Sequence, residues 1–203
     1  LKFSGRSRGS GVTPMSVSSV ENYDPDDLFE AGRIAGDGNG GITIIGDTFT
    51  GTHDTVSSQS IDLGMILESS GELWISNGIS CSLPKTQMTS TKNSKSVFGV
   101  VSRRSIENGR ADKVPDGFNP YTVNSLGEGK IWITNISGDP TNGDYITSSI
   151  IAGHGQLQED DILHSYTVAK LIETVDWSSV SETISHEGQT YKKYLAACTY
   201  HCG

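Results

Sequence analysis

The chain has 203 residues, 34% of them apolar, with 24 glycines and a net charge of −9 from 15 basic and 24 acidic residues. That length suits one large domain or two small ones, but so little apolar and so much glycine argue against a helical bundle and for an all-β protein rich in turns, or one burying surface against sister chains. No basic stripe gathers the Lys and Arg that phosphate contacts require, and no run of 18 apolar residues exists, so neither nucleic-acid binding nor membrane insertion is expected.

Residues 1–22 are rich in Ser, Gly and Arg without apolar periodicity and read as a linker or extended arm. A chain starting at Leu1 rather than Met reads as a fragment or a processed product. From residue 23 to 203 a single β domain is expected, compact and glycine-turn-rich, a sandwich or barrel-like fold of about nine strands. It opens with a short helical turn: in "YDPDDLFEAG" Asp24 can cap, Pro25 suits the first turn, Asp26 and Asp27 favour the helix N-terminus and Gly32 stops it. "GITIIGDTFTG" (41–51) is a strand run. "DLGMILESSGELWIS" (62–76) reads as a hairpin turned at Ser70-Gly71, and "SVFGVVSRR" (96–104) as a buried strand. The stretch from Arg104 to Tyr121, holding Asn108-Gly109, Pro115 and Pro120, reads as a long surface loop.

"YTVNSLGEGKIWITNISG" (121–138) reads as a second hairpin turned by Gly127-Glu128-Gly129, with Trp132 and Thr134 on one face and Ile131 and Ile133 on the other. Next, "TNGDYITSSIIAGHGQLQ" (141–158) holds a short strand between two glycine turns. Gly143 and Gly153 supply the backbone freedom that tight reversals need, and Asp144 can accept a backbone N–H. "SYTVAKLIETVDW" (165–177) and "TYKKYLAACTYHC" (190–202) complete the strands. A faint internal similarity links "LGMILESSGELW…KSVFGVV" to "NGDYITSSIIAGHGQ…SYTVAKLIE". A two-unit duplication over about 40–104 and 121–203 is one reading, and convergent turn chemistry is the other.

Several residues invite chemistry. Cys198, His201 and Cys202 lie close in sequence, but zinc wants four ligands, and on a strand His201 points away from the two thiols, so buried thiols and no metal are expected. The three cysteines, Cys81 included, do not make a disulfide framework. His53 beside Asp54 could do base work, but no nucleophile motif accompanies it, and a turn histidine bonded to backbone is the expectation. Glu159, Asp160 and Asp161 lack the spacing of a calcium loop and read as a solvated loop. Gly36–Gly41 lacks the Lys-Ser/Thr ending of a phosphate loop. No cofactor is expected.

"VNSLGEGKIWITNISGDPTNGDYITSS", "EDDILHSYTVAKLIETVDW" and the terminal "AACTYHCG" resemble the C-terminal domain of marine phage and large-virus structural proteins. The wider group is similar to the autoproteolytic intramolecular-chaperone domains of tail-spike and neck-appendage proteins, the viral glutamic peptidase family. The resemblance covers roughly residues 23–203. It implies a domain at the end of a fibre or spike, in the virion or the host cell during assembly, where three chains register and fold as a homotrimer with the upstream fibre segment. In the peptidase members the domain cuts itself free between Ser and Asp of a Ser-Asp-Tyr-Ala-Glu motif, the Glu being catalytic. The matching stretch here is "YDPDDLFE": Asp24 follows the scissile bond, Asp27 stands for the Glu, and Glu30 is a further carboxylate of the set. Tyr23 replaces the Ser, Pro25 the Tyr, and Asp27 is one methylene shorter than Glu, so the Tyr23–Asp24 bond is expected to stay intact. Three readings follow: a retained trimeric assembly domain of a viral fibre or tail, a self-cleaving peptidase, or a fibre tip that meets a host surface receptor through Trp74, Tyr121 or the Asn108–Pro120 loop.

Overall fold

The computed structural model of the chain describes residues 51–76, 82–106, 110 and 113–202, together with the backbone of four short strands nearer the start. These four, β1 (Lys2–Gly5), β2 (Met15–Ser18), β3 (Arg33–Gly36) and β4 (Ile42–Ile45), form an antiparallel sheet in order and belong to a unit spanning Leu1–Phe49. The helical turn expected over Asp24–Gly32 lies outside the described residues, and so do Asp24, Asp27, Glu30, Cys81 and Asn108.

The second unit, Thr50–Gly203, is all-β. Its first ring is a closed barrel of β5 (Thr52–Ser57), β6 (Ile66–Ser76), β7 (Ser82–Met88), β8 (Val97–Arg103) and β9 (Asn119–Asn124). Its second part is a sheet of β10 (Leu126–Thr134), β11 (Tyr145–Ser148), β12 (Gly155–Leu157), β13 (Thr167–Leu171), β14 (Thr183–His186) and β15 (Gln189–His201). The pairing of β10 with both β12 and β15 closes five of these strands into a second ring, leaving β14 as a hairpin arm on β15. That hairpin turns through Glu187 and Gly188, both at positive φ (50° and 79°), the conformation a two-residue type I′ turn requires.

The two rings are wired alike. In each, the first strand runs parallel to the third and antiparallel to the fifth, the second pairs with the third and fourth, and the fourth with the fifth. The likeness extends to single bonds. Gly64 N–H donates to Val101 O at 2.8 Å and Gly143 N–H to Leu171 O at 3.0 Å. Val101 N–H returns to Met65 O at 2.9 Å, and Leu171 N–H to Asp144 O at 3.0 Å. Both second strands slip register against the fourth just after Leu67 and Ile146, skipping Phe98 and Val168. The faintly similar sequence segments fall on β6–β8 and β11–β13, which hold the same places in the two rings.

Successive side chains point to opposite faces, yet β5, β6, β8 and β13 each bury consecutive residues, because both of their faces are covered. Ile61, Leu67, Val101, Tyr121 and Val123 fill the first ring. Ile131, Ile133, Ile146, Val168, Leu171 and Ala196 belong to a larger cluster, joined by Ile66 and Val100, which point out of the first ring. The rings thus share apolar surface.

Neither predicted hairpin folds back at its expected turn. Residues 66–76 run through as β6, with Ser70, Gly71 and Glu72 bulged opposite Lys85 of β7. Ser70 Oγ donates to Lys85 O at 3.1 Å and the Lys85 ammonium to Glu72 at 2.9 Å, so side chains hold the bulge that sequence alone presents as a turn. Residues 121–134 change sheets at Ser125 rather than turning back: β9 stays in the first ring while β10 crosses to the second. Gly129 lies inside β10 because Tyr200 packs there; a Cβ would stand 2.4 Å from the Tyr200 hydroxyl. The predicted surface loop ends sooner than expected, since Asn119 and Pro120 belong to β9.

The glycine-turn unit matches its reading. Gly143 and Gly153 hold φ of 93° and 70°. Asp144 accepts the Thr141 N–H at 2.8 Å. The strand between them, β11, lies between β13 and the three-residue β12.

Candidate functional site

A surface groove of about 460 Å³ opens where the first ring meets the second. Its apolar floor is Leu63 and Met65, on the turn before β6, with Trp132 on β10 and Leu195 on β15. The cross-strand register places Trp132 directly opposite Leu195, so both side chains stand on the same outer face of the sheet. The Trp132 backbone N–H donates to Gly64 O at 3.0 Å, and its indole N–H donates to Leu63 O at 3.0 Å. Both donors of this residue are therefore used to lock the first ring's turn to the second ring.

The groove's rim is charged. Arg104 pairs with Asp62, and its Nε donates to Ile61 O at 3.2 Å. The Lys193 ammonium sits 4.5 Å from the Trp132 ring centroid, within cation–π range, and 3.6 Å from Glu182. Each of these two cations thus stands beside a carboxylate, Arg104 beside Asp62 and Lys193 beside Glu182.

Behind Trp132 stands His154, 2% exposed, its ring centroid 6.2 Å from the indole. Nδ1 lies 2.8 Å from Ala152 O and so carries the proton in the neutral ring; the buried Nε2 has no hydrogen-bond partner. Burial, with Lys193 nearby, pushes the imidazole below its ordinary range. Sequence reading passed over this residue because Gly153-His154-Gly155 looks like turn punctuation.

The loop from Gln158 to His164 is the other notable surface. The Gln158 amide donates to Asp160 O at 3.0 Å, to its carboxylate at 3.1 Å and to Ile162 O at 2.8 Å. Asp160 also accepts the Ile162 N–H at 3.1 Å and meets His164 Nε2 at 2.9 Å, contacts that hold its carboxyl below the usual carboxylate range, the histidine's most of all. His164 stacks on Tyr166 at 4.5 Å. The solvated acidic loop of the sequence reading is thus internally bonded, and it holds Ile162 and Leu163 outward at 63% and 58% exposure.

The other candidates resolve as follows. His53 is exposed on β5, a strand rather than a turn, with its ring 5.6 Å from Phe98. Asp54 faces the opposite way, buried, and pairs with Arg110 at 2.8 Å and Thr122 at 3.2 Å, so the two do not form an acid–base pair. Cys198 and Cys202 are buried free thiols, and burial pushes each up to about 12, far from reactive thiolate. His201 points to the other face, edge-on to Tyr145. Among the described residues no cluster of three or more His, Cys, Asp or Glu is placed to hold a metal ion, and no helix is long and apolar enough to cross a membrane. Tyr121 is not an exposed contact aromatic: it is buried, its hydroxyl accepting the Ile61 N–H at 2.8 Å and donating to Gln59 O at 3.0 Å. Trp74 is half-buried, with its indole N–H donated to Lys113 O. The aromatic that does line a groove is Trp132.

No family model, curated protein or solved structure matches the chain.

Proposed function

We propose that this chain is an assembly domain of a viral fibre or tail, working as a homotrimer and remaining attached to the segment that carries it. The observation that carries the reading is apolar surface. Leu63, Leu73, Leu126, Ile150, Ile162, Leu163 and Ile172 are each 43% to 63% exposed, although only 34% of the chain is apolar and Ser, Thr and Gln side chains are buried beside its aliphatic core. A protein with few apolar residues that leaves this many large aliphatic side chains in water has surface suited to sister chains. Bonded turns and closed rings also make a stiff unit, which registration of three chains requires.

Sedimentation of the 203-residue chain together with intact-mass measurement tests this. The expected result is a trimer of unbroken chains. A stable monomer at micromolar concentration overturns the reading. A fragment beginning at Asp24 that disappears in Asp27→Asn would show that the domain instead releases itself.

A further inference from the structure

We propose that the loop carrying Ile162 and Leu163 is a plug that seats in the Trp132 groove of a second copy of this chain. The inference deepens the trimer reading by naming its contact, and rests on it.

The first argument comes from the likeness of the rings. The connection between third and fourth strands of the first ring, residues 89–96, is a docking element. Thr89 O accepts from Gly153 N–H at 2.8 Å, Thr91 O accepts from the Ser148 hydroxyl at 2.8 Å, and Ser94 N–H donates to that hydroxyl at 2.9 Å. Through these bonds it clamps the second ring. The loop 158–166 is the same connection in the second ring, and its root is built the same way: Thr89 N–H donates to Ile66 O at 3.1 Å, Gln158 N–H to Tyr145 O at 2.9 Å. Its Glu159 pairs with Lys92 of the first ring's loop, but it clamps no ring in this way among the described residues. Instead it presents the two most exposed large aliphatic side chains among them, Ile162 and Leu163.

The second argument is preorganisation. Gln158, Asp160 and His164 fix the backbone on both sides of the tip, so little ordering entropy remains to be lost on docking.

The third is complementarity. The tip is apolar; of the carboxylates before it, Glu159 pairs with Lys92 and Asp160 with His164, and Asp161 is exposed. The groove is apolar at Leu63, Met65, Trp132 and Leu195, and Arg104 and Lys193 stand on its rim beside Asp62 and Glu182, so apolar contact carries the fit and charge adds little. Docking a tip into a groove elsewhere on the next copy is a heterologous contact, which closes into a ring when the rotation between copies allows it.

Mixing two variants of the full chain, Leu163→Cys and Leu63→Cys, each made in a Cys81→Ser background that keeps the buried Cys198 and Cys202, under mild oxidation tests the contact. A covalent dimer is expected in the mixture, in excess of either variant alone. Ile162→Ser/Leu163→Ser should weaken self-association at least tenfold while leaving the circular dichroism unchanged, and Asp161→Lys should weaken it less. A trimer that neither cross-links between 163 and 63 nor dissociates with the serine variant overturns this contact and leaves the trimer standing. A monomeric chain that still cross-links in the mixture keeps the contact and overturns the trimer. A monomer without cross-linking overturns both.

Discussion

The first ring and the second share one wiring diagram but spend it differently. Where the first strand of the first ring carries Asp54, buried and ion-paired to Arg110, the register against the fifth strand puts exposed Lys130 in the second. Where the first ring's third strand carries Lys85, holding the β6 bulge, the second ring has buried His154. The bulge lengthens the first ring's second strand to 11 residues against 4 in β11. What stays constant is the set of bonds that close each ring and a few buried aliphatic positions such as Leu67 and Ile146; side chains such as Asp54 and Lys130, or Lys85 and His154, differ. Topology here is specified by backbone hydrogen bonds and a few apolar positions, and the rest is free to serve surfaces.

The sharpest way to break the comparison is at the core. Leu67 and Ile146 occupy equivalent places and are both fully buried. Leu67→Ala and Ile146→Ala should each destabilise by about 2–5 kcal/mol. Because Ile66 and Val100 extend the second ring's cluster into the first, both variants should unfold in one transition by tryptophan fluorescence and by circular dichroism. Separate transitions would mean that the rings are independent.

A smaller effect separates the equivalent turn glycines. Gly64 and Gly143 hold φ of 84° and 93°, so valine at either is strained by roughly 1–3 kcal/mol. At Gly143 the added Cβ meets open space, whereas at Gly64 it would stand 2.8 Å from Leu195 and 3.1 Å from Trp132. Gly64→Val should therefore lower the melting temperature more than Gly143→Val. Equal losses would show that the Trp132 contact yields freely.

The smallest effect is a pH dependence belonging to the second ring. His154 binds its proton less readily in the folded protein than in the unfolded chain, because burial disfavours the imidazolium. Its contribution to stability is complete above the unfolded pKa of about 6.5 and is lost as pH falls from there through the depressed folded value. His154→Gln should flatten that part of the stability profile in chemical denaturation. A wild-type profile already flat below pH 6.5 would contradict the assignment.

Much of this was legible in the sequence, and the failures are specific. The all-β class followed from glycine, β-branched runs and turn pairs. The reversals at Gly143 and Gly153 were readable because a left-handed conformation selects glycine locally. The β6 bulge was not, because Ser70-Gly71 satisfies the local chemistry of a turn and only Lys85, on another strand, shows that the strand continues. Gly127 and Gly129 misled for a related reason: Gly129 answers to Tyr200, 71 residues away. Strand β7, "SLPKTQM", was missed because Pro84 and four polar residues hide an element whose burial comes from both neighbours. The groove was invisible since Leu63, Trp132 and Leu195 meet only once the rings are docked. The carboxylates Asp24, Asp27 and Glu30 remain a sequence reading.

Ser125, where the chain crosses between rings, has a consequence for how such a molecule could be rearranged. Its N–H donates to Gly51 O at 2.7 Å, and its carbonyl accepts the Cys202 N–H at 3.0 Å. The strand that opens the first ring and the strand that closes the second are thus fastened to the same residue. A circularly permuted version of residues 51–202, opened between Ser125 and Leu126 and spliced from Cys202 to Gly51 by a short flexible bridge, would present the two rings in reversed order with every strand of both rings intact. Which ring comes first along the polypeptide is then a matter of ancestry and synthesis, while the packing itself is indifferent to it.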